Sequence, residues 1–544
     1  MLTRRTDPAG DCAGLRSGYS PSDSARPNRR SPISQGSLRR ARRPIISGRS
    51  YEFLYSIEYS NALPTRPREK VAQSNQEATL TRRAILAAAA CAALSVAPTA
   101  TAKPGPLAKA LGAPDDLSIS ATVRARAEGI DGQFRPSPAA ADSMVSLRTT
   151  LAIEYDAGPV RFGGELWDSR AYGEAATSSI TTSDVNTLEL VQAYAKIELG
   201  DGKKGAKGGR GLLTLGRQTM DIGSRRLVAR NRYRQTTNAF TGADLEWTTH
   251  GGTRLQAFWM MPQIRRPDDA QGLQDNKVKF DLETTRVQFF GAHATLPHVL
   301  GGTLEAYGFR LAEQDVDNRL TRNRRLWTLG GRAFARPAAG KWDHDIEAAY
   351  QFGTARRSTS AADTADLDVS AWFVHAEAGY TLKSGLLKKD WHPRVAALFD
   401  AASGDGGKAG RFGRFDTLYG ARRFDFGPTA LYGALQRTNI ISPGLRLELV
   451  PDKRSDVMVS YRALWLENPR DAFATTGVKD GSGASGRFAG HQAEVRLRHW
   501  LVPDLLQAET GGAVLFKRGV LRSAPNAPAS GNSLYGYFDL TLTL

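Results

Sequence analysis

The stretch Leu215–Gly242, LGRQTMDIGSRRLVARNRYRQTTNAFTG, holds Arg217, Arg225, Arg226, Arg230, Arg232 and Arg234 against a single acid, Asp221. Guanidiniums this dense repel one another and resist burial, and no local carboxylates neutralise them, so something else must. Either they form a basic loop bathed in water, or they face a water-filled space that receives anions. Planar guanidinium forks suit bidentate capture of carboxylate or sulfate, and clusters of Arg and Lys are how pores select anions. Other chemistry has far less support. The eight histidines show no metal-ligand spacing, and neither a G-x-S-x-G nor a phosphate-loop pattern occurs. No enzyme activity, metal, cofactor or nucleic-acid partner is expected.

The elements around that stretch alternate in polarity. In Leu117–Glu128, Leu117, Ile119, Ala121, Val123 and Ala125 point one way, and Ser118, Ser120, Thr122, Arg124, Arg126 and Glu128 the other. Period two is the strand signature. It recurs at 144–156, 160–167, 187–199, 211–218, 240–248, 253–261, 285–294, 302–311, 324–335, 342–353, 370–381, 393–402, 439–450, 455–466, 490–500, 505–516 and 533–544. About 18 strands are therefore expected, with no long helical stretch competing.

Connections alternate as well. Long ones at 129–143, 170–186, 219–239, 262–284, 403–438, 467–489 and 517–532 are separated by tight turns such as 156–159, 250–252, 451–452 and 503–504. A soluble sandwich or propeller supplies alternating strands but has no reason to segregate loop length by parity. An outer-membrane barrel does, with long extracellular loops and short periplasmic turns. The fold class is thus all-β, a single transmembrane antiparallel barrel over 117–544. The absence of a 20-residue apolar run is no objection, because barrel strands alternate lipid-facing and lumen-facing residues. Trp167, Trp247, Trp342, Trp372 and Trp500 near strand ends suit interfacial girdles. The last strand, ending in Leu544, resembles the closing strand read by the barrel-assembly machinery.

The amino-terminal part has a different composition. Residues 1–78 are rich in Arg, Ser and Pro without periodicity and cannot bury enough apolar surface to order themselves. Within 79–102, Arg82-Arg83, the apolar run Ala84–Ala97 and Ala100-Thr101-Ala102 make a signal peptide, with cleavage expected after Ala102 and 103–116 as a periplasmic lead-in. A signal peptide so far inside the chain implies that translation starts downstream of Met1. Both cysteines, Cys12 and Cys91, precede the cleavage point, which leaves the exported part thiol-free. The formal charge of +18 includes 16 basic and 7 acidic leader residues, so the exported part carries about +9.

On a barrel, charged mid-strand positions belong inside, because Arg or Lys at the lipid midplane costs about 2–4 kcal/mol. Arg124, Arg126, Arg148, Arg161, Arg254, Arg332, Arg446, Arg462, Arg496 and Arg498, with Glu154, Glu165, Glu347, Glu448 and Glu494, give a lumen of mixed sign that leans basic. For most of them, Arg–carboxylate pairing that fills the interior is the plainest role.

Three blocks resemble the alginate export family of outer-membrane barrels. The first is Gly216-Arg217-Gln218 followed by Gly223, Arg226-Leu227-Val228, Arg234 and Phe240-x-Gly242; the second is Gly413–Tyr419 with Arg437-Thr438-Asn439-Ile440; the third is Tyr461–Leu466. The resemblance implies an 18-stranded monomeric barrel whose arginine-lined constriction passes a polyuronate. Arg217, Arg226 and Arg234 fall on matching positions. With Arg225, Arg230, Arg232, Asp416, Arg437, Asn439 and Arg462 they form the expected pore set. The chain departs from the family pattern at Thr241 and at Gly420-Ala421-Arg422-Arg423, where the family has Asp, and Pro and His. The expected function is an anion-selective outer-membrane channel for an acidic polysaccharide or uronate oligosaccharides, embedded among lipid and lipopolysaccharide. A broad-specificity nutrient porin is the alternative, and a barrel hydrolase using His375 or His491 a more distant one.

Overall fold

The computed structural model describes residues 106–200, 209–299, 301–316, 319–383 and 391–544. The leader, its cleavage point and both cysteines lie outside the described residues.

Nineteen strands follow one another in the chain. They are β1 (Leu117–Asp131), β2 (Ala141–Asp156), β3 (Val160–Tyr172), β4 (Asn186–Leu199), β5 (Arg210–Gln218), β6 (Phe240–Thr248), β7 (Arg254–Pro262), β8 (Val287–Val299) and β9 (Gly302–Glu313). Then come β10 (Arg325–Ala335), β11 (Trp342–Ala355), β12 (Leu367–Thr381), β13 (Arg394–Ala402), the two-residue β14 (Arg411–Phe412) and β15 (Ile440–Asp452). The last are β16 (Ser455–Trp465), β17 (Phe488–Val502), β18 (Leu506–Lys517) and β19 (Ser533–Thr543). Without β14, which lies parallel against the start of β12, each strand pairs antiparallel with its neighbours, and β1 pairs with β19 to close the ring. The wall is an 18-strand barrel.

Alternation decides which side chains face lipid. On β2, Val145, Leu147, Leu151 and Ile153 are 36–47% exposed, while Ser146, Arg148 and Thr150 between them are at most 8% exposed. On this strand the large apolar residues are outside and the arginine inside, the inverse of a soluble domain and the expected state of a lipid-facing wall. On β19, Leu534, Phe538 and Leu540 face out; Tyr535, Tyr537 and Asp539 face in. At the seam Arg126 of β1 grips Asp539 with both nitrogens, Nε–Oδ1 at 2.7 Å and Nη2–Oδ2 at 2.6 Å.

Every expected strand is present, but several run further toward the long-loop rim. β1 continues through Gly129–Asp131, paired with Ala141–Ser143, and β12 begins at Leu367. There the ladder outlasts the lipid-facing alternation from which the strands were read. Among the tryptophans, Trp342 is 73% exposed and packs on Tyr380, as a girdle residue should. Trp167 does not. It follows the exposed Leu166 and so points inward, 3% exposed, with its indole N–H donating to Gln235 O at 2.9 Å.

The lumen is crossed by two long loops, 219–239 between β5 and β6 and 403–439 between β13 and β15. They rest on an apolar sector of the inner wall. Phe240 of β6, Phe258 and Met260 of β7, Phe289 of β8 and Phe309 of β9 pack as one buried cluster with Met220, Ile222, Leu227 and Val228 of the first loop. Tyr419 of the second loop joins edge-on to Phe240, with ring centroids 5.2 Å apart. Burying each such side chain stabilises by roughly 1.5–3 kcal/mol. This apolar packing helps carry the arginine-rich stretch into the barrel.

Candidate functional site: two loops inside the barrel

The loops zip together backbone to backbone. Tyr419 N donates to Leu227 O at 2.9 Å, Ala229 N to Tyr419 O at 3.2 Å, and Ala421 N to Arg225 O at 3.0 Å. Gly420 sits at the crossing, where a Cβ would stand 1.8 Å from Arg226 O. Only glycine allows so close an approach.

The arginines of the first loop point into this assembly, and Arg226 and Arg230 meet carboxylates from far along the chain. Arg226, 3% exposed, is the hub: its nitrogens reach Asp425 at 2.9 Å, Glu347 at 2.8 Å and Asp345 at 3.0 Å. Asp425 lies on the short helix α3 (Arg423–Phe426; the others, in chain order, are α1, Pro106–Ala110, α2, Ala270–Gln274, and α4, Val520–Ser523). Arg437 binds the same carboxylate and donates to Ala421 O at 2.8 Å. Burial alone would raise the Asp425 carboxyl, but Arg226 and Arg437 outweigh it and hold it well below the usual carboxylate range. Arg462 is buried against Asp400 at 2.8 Å. Arg230 takes Glu165 bidentately, 2.6 and 2.9 Å, over the Trp167 ring. Arg232 pairs with Asp221 at 3.0 Å. Arg225, at φ +66°, lies over Phe424.

Distant acids therefore supply most of the compensation that the local sequence lacks, beside the one local pair, Arg232 with Asp221. The distant ones are Glu165, Asp345, Glu347 and Asp425, on strands and a loop that the fold alone brings near. Arg217 is also spoken for. It shares the face of β5 that carries the outward Leu215, and it pairs with Glu189 at 2.7 Å and Glu283 at 3.1 Å. Asp416 accepts from Arg324 Nη1 at 2.9 Å, and Asn439 ties Asn468 and Ala472 through their backbones. Both brace loops.

The fold also assembles His375, Asp400 and Asp425, a grouping that sequence spacing does not show; their ligand atoms lie within 4.8 Å of one another. His375 Nδ1 is 2.8 Å from Asp400 Oδ1. A cation would share the cluster with Arg226, Arg437 and Arg462, so the chemistry is that of an ion-pair knot rather than a metal centre. The other hydrolase candidate, His491, bonds the exposed Tyr461 at 2.7 Å, whereas His375 is fully buried. The two share no site.

Six arginines of the interior have no carboxylate within ion-pair distance among the described residues. Arg124 and Arg148, on adjacent wall strands, donate to the carbonyls of Arg232 and Arg234 at 2.8–3.2 Å. Arg234, Arg135, Arg265 and Arg422 sit in four different loops and bond neutral oxygens. Burial and then the neighbouring Arg265 and Arg422 lower the Arg234 pKa well below its ordinary value; burial, with Arg422 and Arg437 as the respective neighbours, lowers Arg135 and Arg422 to about 10. Sequence reasoning singled out Arg124, Arg148 and Arg234. It missed Arg135 and Arg265, which carry no motif or strand signal, and marked Arg422 only as a departure from the family pattern.

A closed 18-strand wall, apolar outside and charged inside, with long loops at one rim and tight turns at the other, defines a bacterial outer-membrane barrel channel. The alginate export family model matches residues 115–530, and the chain belongs to that family. Among solved structures, Pseudomonas aeruginosa OccK8 (OprE) is 12% identical, with 79% of this chain and 98% of that chain covered at a TM-score of 0.51. Acinetobacter baumannii OccAB1 is 11% identical, with 79% and 97% covered at a TM-score of 0.50. No curated protein matches the sequence.

Proposed function

We propose that this barrel is an anion-selective channel for an acidic polysaccharide or its uronate oligosaccharides. The observation that carries the reading is the sorting of interior arginines. Carboxylates neutralise the deeply buried Arg226, Arg437 and Arg462, which act as scaffold. Arg124, Arg148 and Arg234 keep uncompensated charge over the loop crossing, while Arg230 and Arg232, with side chains 22% and 30% exposed, hold Glu165 and Asp221. Such a field concentrates anions, and several weak contacts let a polymer move on. Surrounding lipid and lipopolysaccharide meet the apolar belt, the barrel-assembly machinery reads β19, and the channel works as a monomer.

Block of single-channel current in planar bilayers tests the reading. Oligogalacturonate is expected to block at concentrations at least about tenfold below those of a neutral maltooligosaccharide of equal length, the worth of one charge-assisted contact. Equal block by the two sugars would favour the nutrient porin.

A further inference from the structure

The lipid-facing surface of β7–β10 is hollow. Its outward positions fall in rows set by the pairing register. In one row Ala257, Ala292 and Gly308 stand side by side, and in the next row toward the tight turns Ala294 faces Ala306. Leu255 and Trp259 of β7 rise on one side of this floor, and Trp327 and Leu329 of β10 on the other, all 38–50% exposed. Two overlapping hollows of about 500 and 660 Å³ form one groove there. On β2 the outward positions hold Val145, Leu147, Leu151 and Ile153 instead.

Two arginines stand at the long-loop end of the groove. Arg310, two residues above Gly308 on β9, is the outward residue between Phe290 and Trp327. Its guanidinium lies 5.3 Å over the Trp327 ring and donates to Arg325 O at 2.9 Å. Arg325 opens β10 on the same outward face as Trp327 and is exposed. Among the described residues neither has a carboxylate within ion-pair distance. Other outward arginines at this rim do: Arg170 holds Asp168 at 2.9 Å, and Arg217 holds Glu189 and Glu283. Nearby acids are engaged elsewhere, Asp315 by Arg356 and Glu313 by Arg324, each at 2.7 Å. Asp368, in the row of Arg325, is two strands away, about 10 Å.

Arginine on a lipid-facing wall is tolerated only near the interface, where its head can reach the headgroups, and Trp259 and Trp327 mark that level. A cation pair above an apolar groove matches an amphiphile with an anionic head and a hydrocarbon tail. A free anion leaves the groove idle, and hollows of this volume suit a small ligand rather than a second protein. We infer that Arg310 and Arg325 grip a phosphate of lipopolysaccharide, the phosphorylated glycolipid of the outer leaflet, and that one of its acyl chains lies in the groove over Ala292 and Gly308. Guanidinium forks suit phosphate, and the long-loop rim is the extracellular one, so the site faces the leaflet that holds this lipid. The inference depends on the place of the barrel in the outer membrane, not on what passes through it.

The test is binding of defined lipids to the full barrel in detergent, read by native mass spectrometry. Bisphosphorylated lipid A is expected to half-saturate the wild type at a concentration at least about tenfold below that of its phosphate-free form, the worth of one charge-assisted contact. Arg310→Gln with Arg325→Gln should remove that difference. Ala292→Leu, which fills the groove and leaves both arginines in place, should weaken both forms. Both arginines point away from the lumen, so the Gln pair should keep wild-type single-channel conductance, which also shows that it is folded; a misfolded Gln pair leaves Ala292→Leu to decide. Equal binding of the two forms by the wild type, or wild-type binding by either folded variant, would overturn the site. So would displacement of lipid A by equimolar inorganic phosphate, which means a free-anion site, or equally tight binding of dimyristoylphosphatidylglycerol, which means any anionic lipid. The proposed channel function survives each of these failures.

Discussion

Arg226→Ala is expected to unseat both loops and to destabilise them by about 3–5 kcal/mol, the cost of stranding buried charge. The residue links Asp425 of the second loop to Asp345 and Glu347 of β11. Its removal strands the buried Glu347 without a cation, while Asp345 keeps Arg332 and Asp425 keeps Arg437. The readouts are single-channel conductance, which should rise and become noisy as the loops leave the lumen, and a lowered thermal transition before the barrel melts. Acid should mimic the change. The Asp425 pKa is lowered in the folded state, so its contribution is complete above the ordinary value of about 3.9 and is lost only as pH falls through the lower folded value. Loops of the wild type therefore hold at pH 4 and release below it. An unchanged conductance in Arg226→Ala would show that the apolar sector alone holds the loops.

Arg126→Ala should act on the wall itself. Arg126 is the bidentate partner of Asp539 across the β1–β19 seam, and it also lies 4.0 Å over the ring of Tyr233 in the first loop. Deleting it leaves Asp539 buried and unpaired at the one place where the sheet must close on itself, again about 3–5 kcal/mol. A lower temperature of gel-shift unfolding is the expected result, with Arg126→Ala plus Asp539→Ala recovering part of the loss because no lone charge remains. Equal melting of single and double variants would mean that backbone pairing carries the seam alone.

Much of the fold was legible because a barrel wall writes its two environments into alternate residues. Each of the 18 wall strands and the parity of the loops followed from that, and β19 was read face by face. Strand ends at the long-loop rim were not, since pairing there continues after lipid contact ends. Trp167 shows the same limit from the other side: an aromatic near a strand end suggests a girdle, but its parity with the inward Glu165 sends it inside. For the site, the arginine excess was plain and its compensation was hidden. Arg226 finds Glu347 and Asp425 across 121 and 199 residues of sequence. The meeting of the two long loops has no local trace for the same reason, since closure of the barrel and inward packing of Leu227, Val228 and Tyr419 bring them together.

The reversal potential of the wild-type channel in a tenfold KCl gradient tests the central claim most directly. With Arg124, Arg148 and Arg234 uncompensated in the lumen, the potential should take the sign of chloride permeation, and Arg124→Gln with Arg148→Gln should move it toward zero. A potential of the sign of potassium permeation, or one indifferent to both substitutions, would contradict the account.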